Sequence, residues 1–162
     1  MKLRFLSIFA AAALLAACES APEEKATTGA SATPPAATKV GIVPGSEQDF
    51  IANVGDRVFY DFDKYSLRAD AKATLDKQVA WLKKYPTYNL TIEGHADERG
   101  TREYNLALGE RRANAVKEYL VAGGLPAARV KTISYGKERP VALGSNEAAW
   151  SQNRRGVTVL SK

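Results

Sequence analysis

The chain has 162 residues, with 23 Lys and Arg against 18 Asp and Glu, which gives a formal net charge of +5 at pH 7. This length predicts one folded domain with short appendages. Positive and negative residues are interspersed rather than grouped in blocks, and the positive excess is small. The composition therefore argues against a nucleic-acid-binding protein, in which a strongly basic stripe is expected.

The N-terminal part of the chain has the pattern of a cleavable secretion signal. Lys2 and Arg4 precede an apolar run over residues 5–15, which is too short to span a bilayer, because a transmembrane helix needs about 20 apolar residues. Small residues then stop at Cys18, the only cysteine of the chain. Leu-Ala-Ala-Cys at this place resembles the bacterial lipobox, which implies cleavage before Cys18 and lipid on its thiol and new amino group. The alternative is a free thiol inside a signal that is discarded.

Residues 19–39 are predicted to form a disordered tether. The segment is rich in Ala, Thr, Ser, Pro and Glu and holds no large apolar side chain, so it cannot bury a core. Its fully extended reach is roughly 65–70 Å. One acyl chain anchors a protein only marginally, whereas three hold it stably. Glu19 follows the cysteine, where an aspartate favours the inner membrane in lipoproteins of this kind. The resemblance therefore implies the outer membrane, with the folded part in the periplasm.

Residues 40–162 are predicted to form a single domain, after a signal peptide at 1–17 and a lipidated tether at 18–39. Alternating apolar residues predict strands, and apolar residues spaced by three and four predict helices. Strands are predicted over 57–62, 88–94, 130–135 and 156–160, and helices over 46–53, 68–85, 102–121 and 147–153. After the first short helix, the order β-α-β-α-β-α-β predicts an α/β fold. We expect an α+β sandwich with the helices on one side of a mixed four-stranded sheet.

The predicted helix over 102–121 carries two neighbouring stripes of side chains. An apolar stripe, which spans about 80° on a helical wheel, predicts the contact with the core and consists of Leu106, Gly109, Ala113, Val116 and Leu120. A second stripe, which spans about 60° and lies a quarter-turn away, consists of Thr101, Asn105, Leu108 and Arg112. A polar stripe beside the core stripe predicts the lining of a cleft between sheet and helix.

Asp97 and Arg112 are candidates for one pocket, because Asp97 lies in the loop before this helix and Arg112 lies two to three turns along it. Such a pair is complementary to an amino-acid zwitterion. The carboxylate takes the ammonium, and the planar guanidinium takes the carboxylate as a bidentate fork. The free N–H groups of the helix N-terminus add affinity for an anion. A plain Asp97–Arg112 salt bridge that ties the loop to the helix is the alternative, and the residues alone leave both open.

Several spaced segments in one order resemble a known family. They are FYDFDKY at 59–65, EGHADERG at 93–100, YN at 104–105, LGERRA at 108–113, SYGKE at 134–138 and NRR at 153–155. On these segments, residues 55–162 resemble the OmpA-like peptidoglycan-binding domains. With the lipobox and the tether, the whole chain resembles the peptidoglycan-associated lipoproteins.

The resemblance implies a ligand, the meso-diaminopimelate side chain of peptidoglycan stem peptides. The free end of this side chain carries an ammonium and a carboxylate on one carbon. Matched residue by residue, Asp97 would bind the ammonium and Arg112 the carboxylate. Asn105 and Asp63 match positions that line the same pocket, and Leu108 would form an apolar wall.

The resemblance also implies a non-enzymatic tether between outer membrane and cell wall, without cofactor. The β-propeller protein TolB and the other proteins of the Tol-Pal division system would be its partners. Arg155 matches the family's C-terminal Arg-Arg element, either as a ligand contact or as support for the fold.

Two rival hypotheses remain, a metal site and a hydrolase. Glu93, His95 and Asp97 alternate along a strand end and offer a metal site, but a second His or a Cys is missing. A hydrolase would need His95 as its base, and no Gly-x-Ser-x-Gly occurs.

Overall fold

The computed structural model describes residues 41–162. The predicted signal peptide (1–17) and the predicted lipidated tether (18–39), with Cys18, lie outside the described residues. Within 41–162, no helix combines the length and the apolar character that crossing a membrane requires.

The first helical segment packs against the aromatic part of the core. It begins as α1 (Glu47–Asp49) and continues as a π-helical turn, Phe50–Val54. Ser46 caps α1, because its hydroxyl accepts a hydrogen bond from Asp49 N at 3.1 Å. Phe50 is fully buried, and its ring centre lies 5.0 Å from that of Trp81. The short helix predicted at the start of the domain is confirmed.

Four strands form one mixed sheet. They are β1 (Arg57–Phe59), β2 (Asn89–His95), β3 (Val130–Gly136) and β4 (Arg155–Ser161). The spatial order is β1-β4-β2-β3. β2 runs parallel to β3, and β4 runs antiparallel to both of its neighbours, β1 and β2. The predicted mixed four-stranded sheet is confirmed.

β1 is shorter than the strand predicted over 57–62. The strand ends at Phe59, and only the N–H of Tyr60 still pairs, with the carbonyl of Arg154 at 3.0 Å. The chain then turns, and Asp63 adopts a φ of 57°, a left-handed conformation that Asp tolerates better than most residues do. The turn carries Phe62 and Asp63 away from the sheet and toward the end of β2.

The two long helices, α2 (Ala69–Lys84) and α3 (Arg102–Ala122), pack on one face of the sheet. The short helix α4 (Glu147–Asn153) belongs to the connection between β3 and β4, and the side chain of Asn146 caps it by accepting a hydrogen bond from Ala149 N. The core lies between the two long helices and the sheet, and includes Val58, Leu75, Leu82, Leu90, Ile92, Ala113, Val116 and Leu120. Full burial of each large aliphatic side chain contributes roughly 1.5–3 kcal/mol. The predicted fold class, an α+β sandwich, is confirmed.

α3 lies directly on the end of β2 because two glycines face each other. A methyl group at Gly94 would overlap the backbone carbonyl of Gly109, and one at Gly109 would overlap the hydroxyl of Ser134. Ser134 donates a hydrogen bond to Leu106 O at 2.7 Å. The first turns of α3 therefore lie at the sheet's end, so that Leu106 is only half-buried while Leu108 is buried. The prediction that Leu106 belongs to the core stripe was wrong.

Candidate ligand-binding pocket

A pocket of about 190 Å³ lies where β2 ends, α3 begins and the β1–α2 turn passes beside both. It is lined by Phe62, Asp63, Ala96, Asp97, Arg99, Gly100, Tyr104, Asn105, Leu108 and Arg112. Five residues were predicted as ligand contacts, namely Asp97, Arg112, Asn105, Asp63 and Leu108, and all five are in this lining.

Arg112 forms the floor of the pocket as a fully buried cation, with 0% of its surface exposed. Its guanidinium donates to the backbone carbonyls of Lys64, His95 and Asp61 at 2.8, 2.7 and 3.2 Å. A guanidinium has five N–H groups, so two are left for other acceptors. Burial lowers the pKa of Arg112 to about 10, which still leaves the side chain charged at neutral pH.

Asp97 is almost completely buried, and it does not pair with Arg112. Its carboxylate accepts hydrogen bonds from Arg99, with Nη2 to Oδ2 at 2.6 Å and the backbone N to Oδ1 at 3.1 Å, while Arg154 Nη1 lies at 3.4 Å. Burial alone would raise the pKa of Asp97, but these hydrogen bonds and the charge of Arg99 outweigh it, so the pKa is lowered. No ion pair between Arg112 and a carboxylate occurs among residues 41–162. The alternative of an Asp97–Arg112 salt bridge is therefore wrong.

Arg99 covers Asp97 on the solvent side. Its guanidinium is stacked between two aromatic rings, 4.0 Å from the centre of Phe62 and 3.9 Å from that of Trp150. Trp150 Nε1 donates to Glu98 Oε1 at 3.0 Å, which fixes the indole. A cation–π contact contributes about 0.5–2 kcal/mol, and yet the Arg99 side chain remains 32% exposed. The sequence reasoning missed Arg99, although it lies only two residues beyond Asp97.

Polar side chains fix the loop that leads into α3. Asn105 Nδ2 donates to Arg99 O at 2.9 Å, and Lys137 Nζ donates to Gly100 O at 2.7 Å. Asn105 thus lines the pocket, as predicted, and its amide also holds the backbone that positions Arg99. This second role depends on contacts that residue spacing does not reveal.

Asp63 and Leu108 complete the pocket wall. Asp63 accepts a hydrogen bond from the hydroxyl of Tyr104, which joins the β1–α2 turn to the first turn of α3. Leu108 is 4% exposed and presents an apolar surface to the pocket. Tyr104 was not predicted as a lining residue, because its position on the helix is outside both stripes.

Arg155 does not line the pocket. Successive side chains of a strand point to opposite faces, and Arg155 lies on the sheet face turned away from the helices, where Nη2 donates to Arg139 O at 3.1 Å. The preceding residue, Arg154, is the one near the pocket. It contacts Asp97 and donates Nε to Tyr60 O at 3.0 Å. Two adjacent arginines cannot be told apart until the register of the strand is known.

The three groups of the metal hypothesis do not converge. His95 Nε2 lies 3.3 Å from Glu93 Oε2, on the sheet face that Arg155 shares, whereas Asp97 turns into the pocket. The register of β2 against β3 shifts between Gly94 and His95, which ends the regular alternation on which the hypothesis rested. Within residues 41–162, no group of three His, Cys, Asp or Glu side chains is placed to hold a metal ion.

The fold and the pocket together define a small α+β sandwich domain with a charged pocket at one end of an open sheet. The sequence matches the OmpA family over residues 59–154, a range that contains every lining residue, and the chain belongs to this family.

Relatives and solved structures agree with this assignment. The chain is 68% identical over 117 residues to the peptidoglycan-associated lipoprotein of Rhizobium meliloti. The matched residues are 72% of this chain and 66% of that relative, just under two thirds of its length. It is 40% identical over 152 residues to the peptidoglycan-associated lipoprotein of Haemophilus influenzae, which covers 94% of each. It is also similar to the crystal structure of the peptidoglycan-associated lipoprotein from Burkholderia pseudomallei, with a TM-score of 0.67 and 42% identity over 70% of this chain and 98% of that one.

Acidification should destabilise the domain through His95, the only histidine of the chain. Burial first, and Arg155 and Arg139 second, lower the pKa of His95 to about 4, whereas the pKa is about 6.5 in an unfolded chain. The unfolded chain therefore binds a proton that the folded domain excludes until near pH 4, and stability is lost as the pH falls across this window.

Both proteins should become less stable when the pH falls from 7.5 to 4. We expect the decrease in the free energy of unfolding to be roughly 2–3 kcal/mol smaller for His95→Gln than for the parent. Urea unfolding at both pH values measures this difference, and the titration of carboxylates cancels in the comparison. Equal losses for parent and variant would show that burial of the neutral imidazole has no such effect.

Proposed function

We propose that this domain binds the zwitterionic end of meso-diaminopimelate in peptidoglycan stem peptides. The observation that carries the proposal is Arg112, a buried cation at a pocket with two N–H groups to spare and no ion-paired carboxylate among residues 41–162. A buried charge without its partner is costly, so an anion in the pocket would be strongly favoured. The relatives' name, peptidoglycan-associated lipoprotein, supports the choice of ligand.

The ligand's carboxylate would lie on Arg112 as a bidentate fork, and its ammonium would lie near Asp97. Leu108 would face the methylene chain, and Asp63 and Asn105 would line the sides. Asp97 already has a cation, Arg99, at 2.6 Å. The ammonium therefore has to share the carboxylate with Arg99 or displace it, and Arg99 would move toward the solvent, to which about a third of its side chain is exposed.

The size of the pocket supports the binding of a side-chain end rather than a sugar chain. Pockets that enclose drug-sized ligands hold roughly 300–1,000 Å³, and this one holds about 190 Å³. A single amino-acid terminus is of that smaller size, so the rest of the stem peptide and the glycan would stay outside.

The position of the pocket suits a tethering protein. β2 starts next to Tyr88, whose hydroxyl donates to Gly45 O at 2.9 Å, and ends at His95, beside the pocket. At about 3.3 Å per residue, β2 spans roughly 20 Å. The chain thus joins the domain at one end of the sheet and the pocket lies at the other, so a force between anchor and ligand would run along the strands.

We further propose the remaining parts of the assignment. Residues 1–17 act as a lipoprotein signal peptide, Cys18 carries the lipid, and residues 18–39 link it to the domain at 40–162. The lipid would hold the protein on the outer membrane with the domain in the periplasm, and TolB with the other Tol proteins would be partners in the Tol-Pal system. The family resemblance and the relatives' name support these points.

The protein would act as a binder and not as an enzyme. Hydrolysis of the wall needs a base or a nucleophile at the bound substrate. The only histidine, His95, lies on the sheet face away from the pocket. Of the two carboxylates in the lining, Asp97 is ion-paired with Arg99 and Arg154, and Asp63 accepts a hydrogen bond from Tyr104. Incubation of the purified protein with peptidoglycan separates the two functions, because only a hydrolase releases soluble fragments.

Asp97→Asn and Arg112→Lys should each weaken binding of a diaminopimelate-containing muropeptide. Asp97→Asn removes the negative charge at nearly unchanged shape, and Arg112→Lys keeps the charge but loses the fork. Loss of one charge-assisted hydrogen bond is worth about 1.5–3 kcal/mol, so calorimetry should show affinity lowered roughly tenfold to a hundredfold.

Arg111→Lys and Asp70→Asn are the matched controls, because both residues are exposed and outside the pocket. Thermal unfolding checks that each variant is folded, which matters most for the buried Arg112. Unchanged affinity of a folded Asp97→Asn variant would remove Asp97 from the ligand site.

The ligand's carboxylate should be the group that the pocket requires. A stem peptide with lysine at the third position keeps the ammonium and lacks the carboxylate, and an amidated diaminopimelate peptide replaces the carboxylate with a neutral group. Both leave Arg112 without its anion, so we expect affinities at least about tenfold below that of the parent peptide. Calorimetric titration of the three peptides measures this, and equal affinities would contradict the role of Arg112.

Cys18→Ser should abolish lipid attachment. Without the thiol no diacylglyceryl group can be added, so the protein should accumulate as a longer, uncleaved precursor that does not partition into detergent. Gel mobility and detergent phase separation report both properties. A Cys18→Ser variant that runs at the size of the mature parent and partitions like it would refute the anchor.

A further inference from the structure

The end of the sheet opposite the pocket carries exposed aliphatic residues. Ile42 and Val43, at the start of the described chain, are 44% and 64% exposed. Val43 lines a surface hollow of about 510 Å³ together with Tyr88 and Lys162. The hydrogen bond from Tyr88 to Gly45 fixes this part of the chain to the start of β2. These side chains therefore have a defined place at that end and are not used by the folded core.

Cations surround the same region. Lys84 Nζ lies 5.4 Å from the ring centre of Tyr85, and Lys162 Nζ lies 5.2 Å from that of Tyr88. Arg129 donates two hydrogen bonds to Tyr88 O, at 2.9 and 2.7 Å. We name this set the tether-end surface; it consists of Ile42, Val43, Lys84, Arg129 and Lys162.

Two acidic residues, Asp49 and Glu47, lie in the same region and offset part of this charge. Asp49 accepts hydrogen bonds from neutral donors, among them Trp81 Nε1 at 2.8 Å, and these lower its pKa to about 2, so it is ionised. Glu47 is exposed and lines the same hollow, whereas Lys83 and Lys131 add two exposed cations at the margin, so five cations stand against two acids. The tether-end surface is thus an exposed aliphatic patch with a positive surround.

We propose that the tether-end surface docks on anionic phospholipid of the membrane that carries the Cys18 anchor. The inference rests on the anchor of the proposed function. The position and the charge of the tether-end surface both indicate a membrane as its partner. Residues 18–39 join the domain at this end, so the membrane that holds the lipid is the nearest large surface. Aliphatic side chains beside cations match the boundary between acyl chains and negative headgroups.

Because the domain is tethered to the membrane, a weak contact between the tether-end surface and the lipid is sufficient for docking. Each positive charge near an anionic surface raises partition by about fivefold. Five cations less two acids leave an excess of three positive charges, which raises partition by about a hundredfold. A tether of the length of residues 18–39 would hold the domain near the membrane at an effective concentration on the order of millimolar. Because the pocket lies at the opposite end of the sheet, the docked domain keeps it open toward the wall.

The single cysteine permits a direct test. The chain from Cys18 to Lys162 is coupled through Cys18 to maleimide lipid in phosphatidylcholine vesicles with or without phosphatidylglycerol, and amide hydrogen exchange is measured. We expect exchange over 42–47 and 84–88 to slow at least about threefold on the anionic vesicles only. The effect should fade in high salt, and exchange over 97–101 should not change.

Charge-reversal variants locate the contact. Lys84→Glu with Lys162→Glu should remove the protection, whereas Lys72→Glu with Lys77→Glu, an equal charge change at exposed positions of α2, should keep it. The proposal is overturned by unchanged exchange at the tether-end surface, by protection of 97–101 instead, or by equal loss in both double variants. Titration of the same coupled protein with muropeptide tests the pocket separately, so failure of the ligand proposal leaves the docking result intact.

Discussion

The site depends on the hydrogen bonds between the Arg112 guanidinium and backbone carbonyls. They join α3 to the β1–α2 turn and to the end of β2, at positions 48 and 17 residues away in the sequence. An apolar residue of similar volume often serves a fold as well as a buried ion does, or better. Packing alone therefore gives no reason for an arginine at this place, whereas recognition of an anion does.

The charges of the pocket are unequally satisfied. Asp97 has two arginines, Arg99 and Arg154, whereas Arg112 has carbonyl oxygens and no paired carboxylate among residues 41–162. An incoming zwitterion would gain most of its binding free energy at Arg112, where an unpaired charge finds its partner. At Asp97 the ammonium would have to share the carboxylate with Arg99 or displace it, which offsets part of the gain there. The carboxylate of the ligand would then contribute more of the affinity than its ammonium.

Periodicity predicted the fold because both long helices and three of the strands bury one face and expose the other. Their apolar residues therefore recur every three to four positions in a helix and every second position in a strand. It failed where tertiary contacts set the outcome. Residues 60–62 continue the strand pattern, yet β1 ends at Phe59, because the turn at Asp63 leads the chain to the pocket. The sequence placed all five predicted lining residues at the pocket. The sequence could not show whether Asp97 and Arg112 form a salt bridge with each other or stay apart. The outcome depends on Arg99, which pairs with Asp97 instead.

The two ends of the sheet carry two kinds of positive charge that respond differently to salt. Arg112 is fully buried, so mobile ions screen it little, whereas Lys84 and Lys162 are exposed and are screened over about 8–10 Å at physiological ionic strength. β2 separates the ends by roughly 20 Å, about twice that length, so the fields of the two ends are largely independent. The chain after residue 17 has 21 Lys and Arg against 18 Asp and Glu. This small net excess describes neither end, because the proposed ligand contact depends on one buried cation and the proposed membrane contact depends on exposed cations.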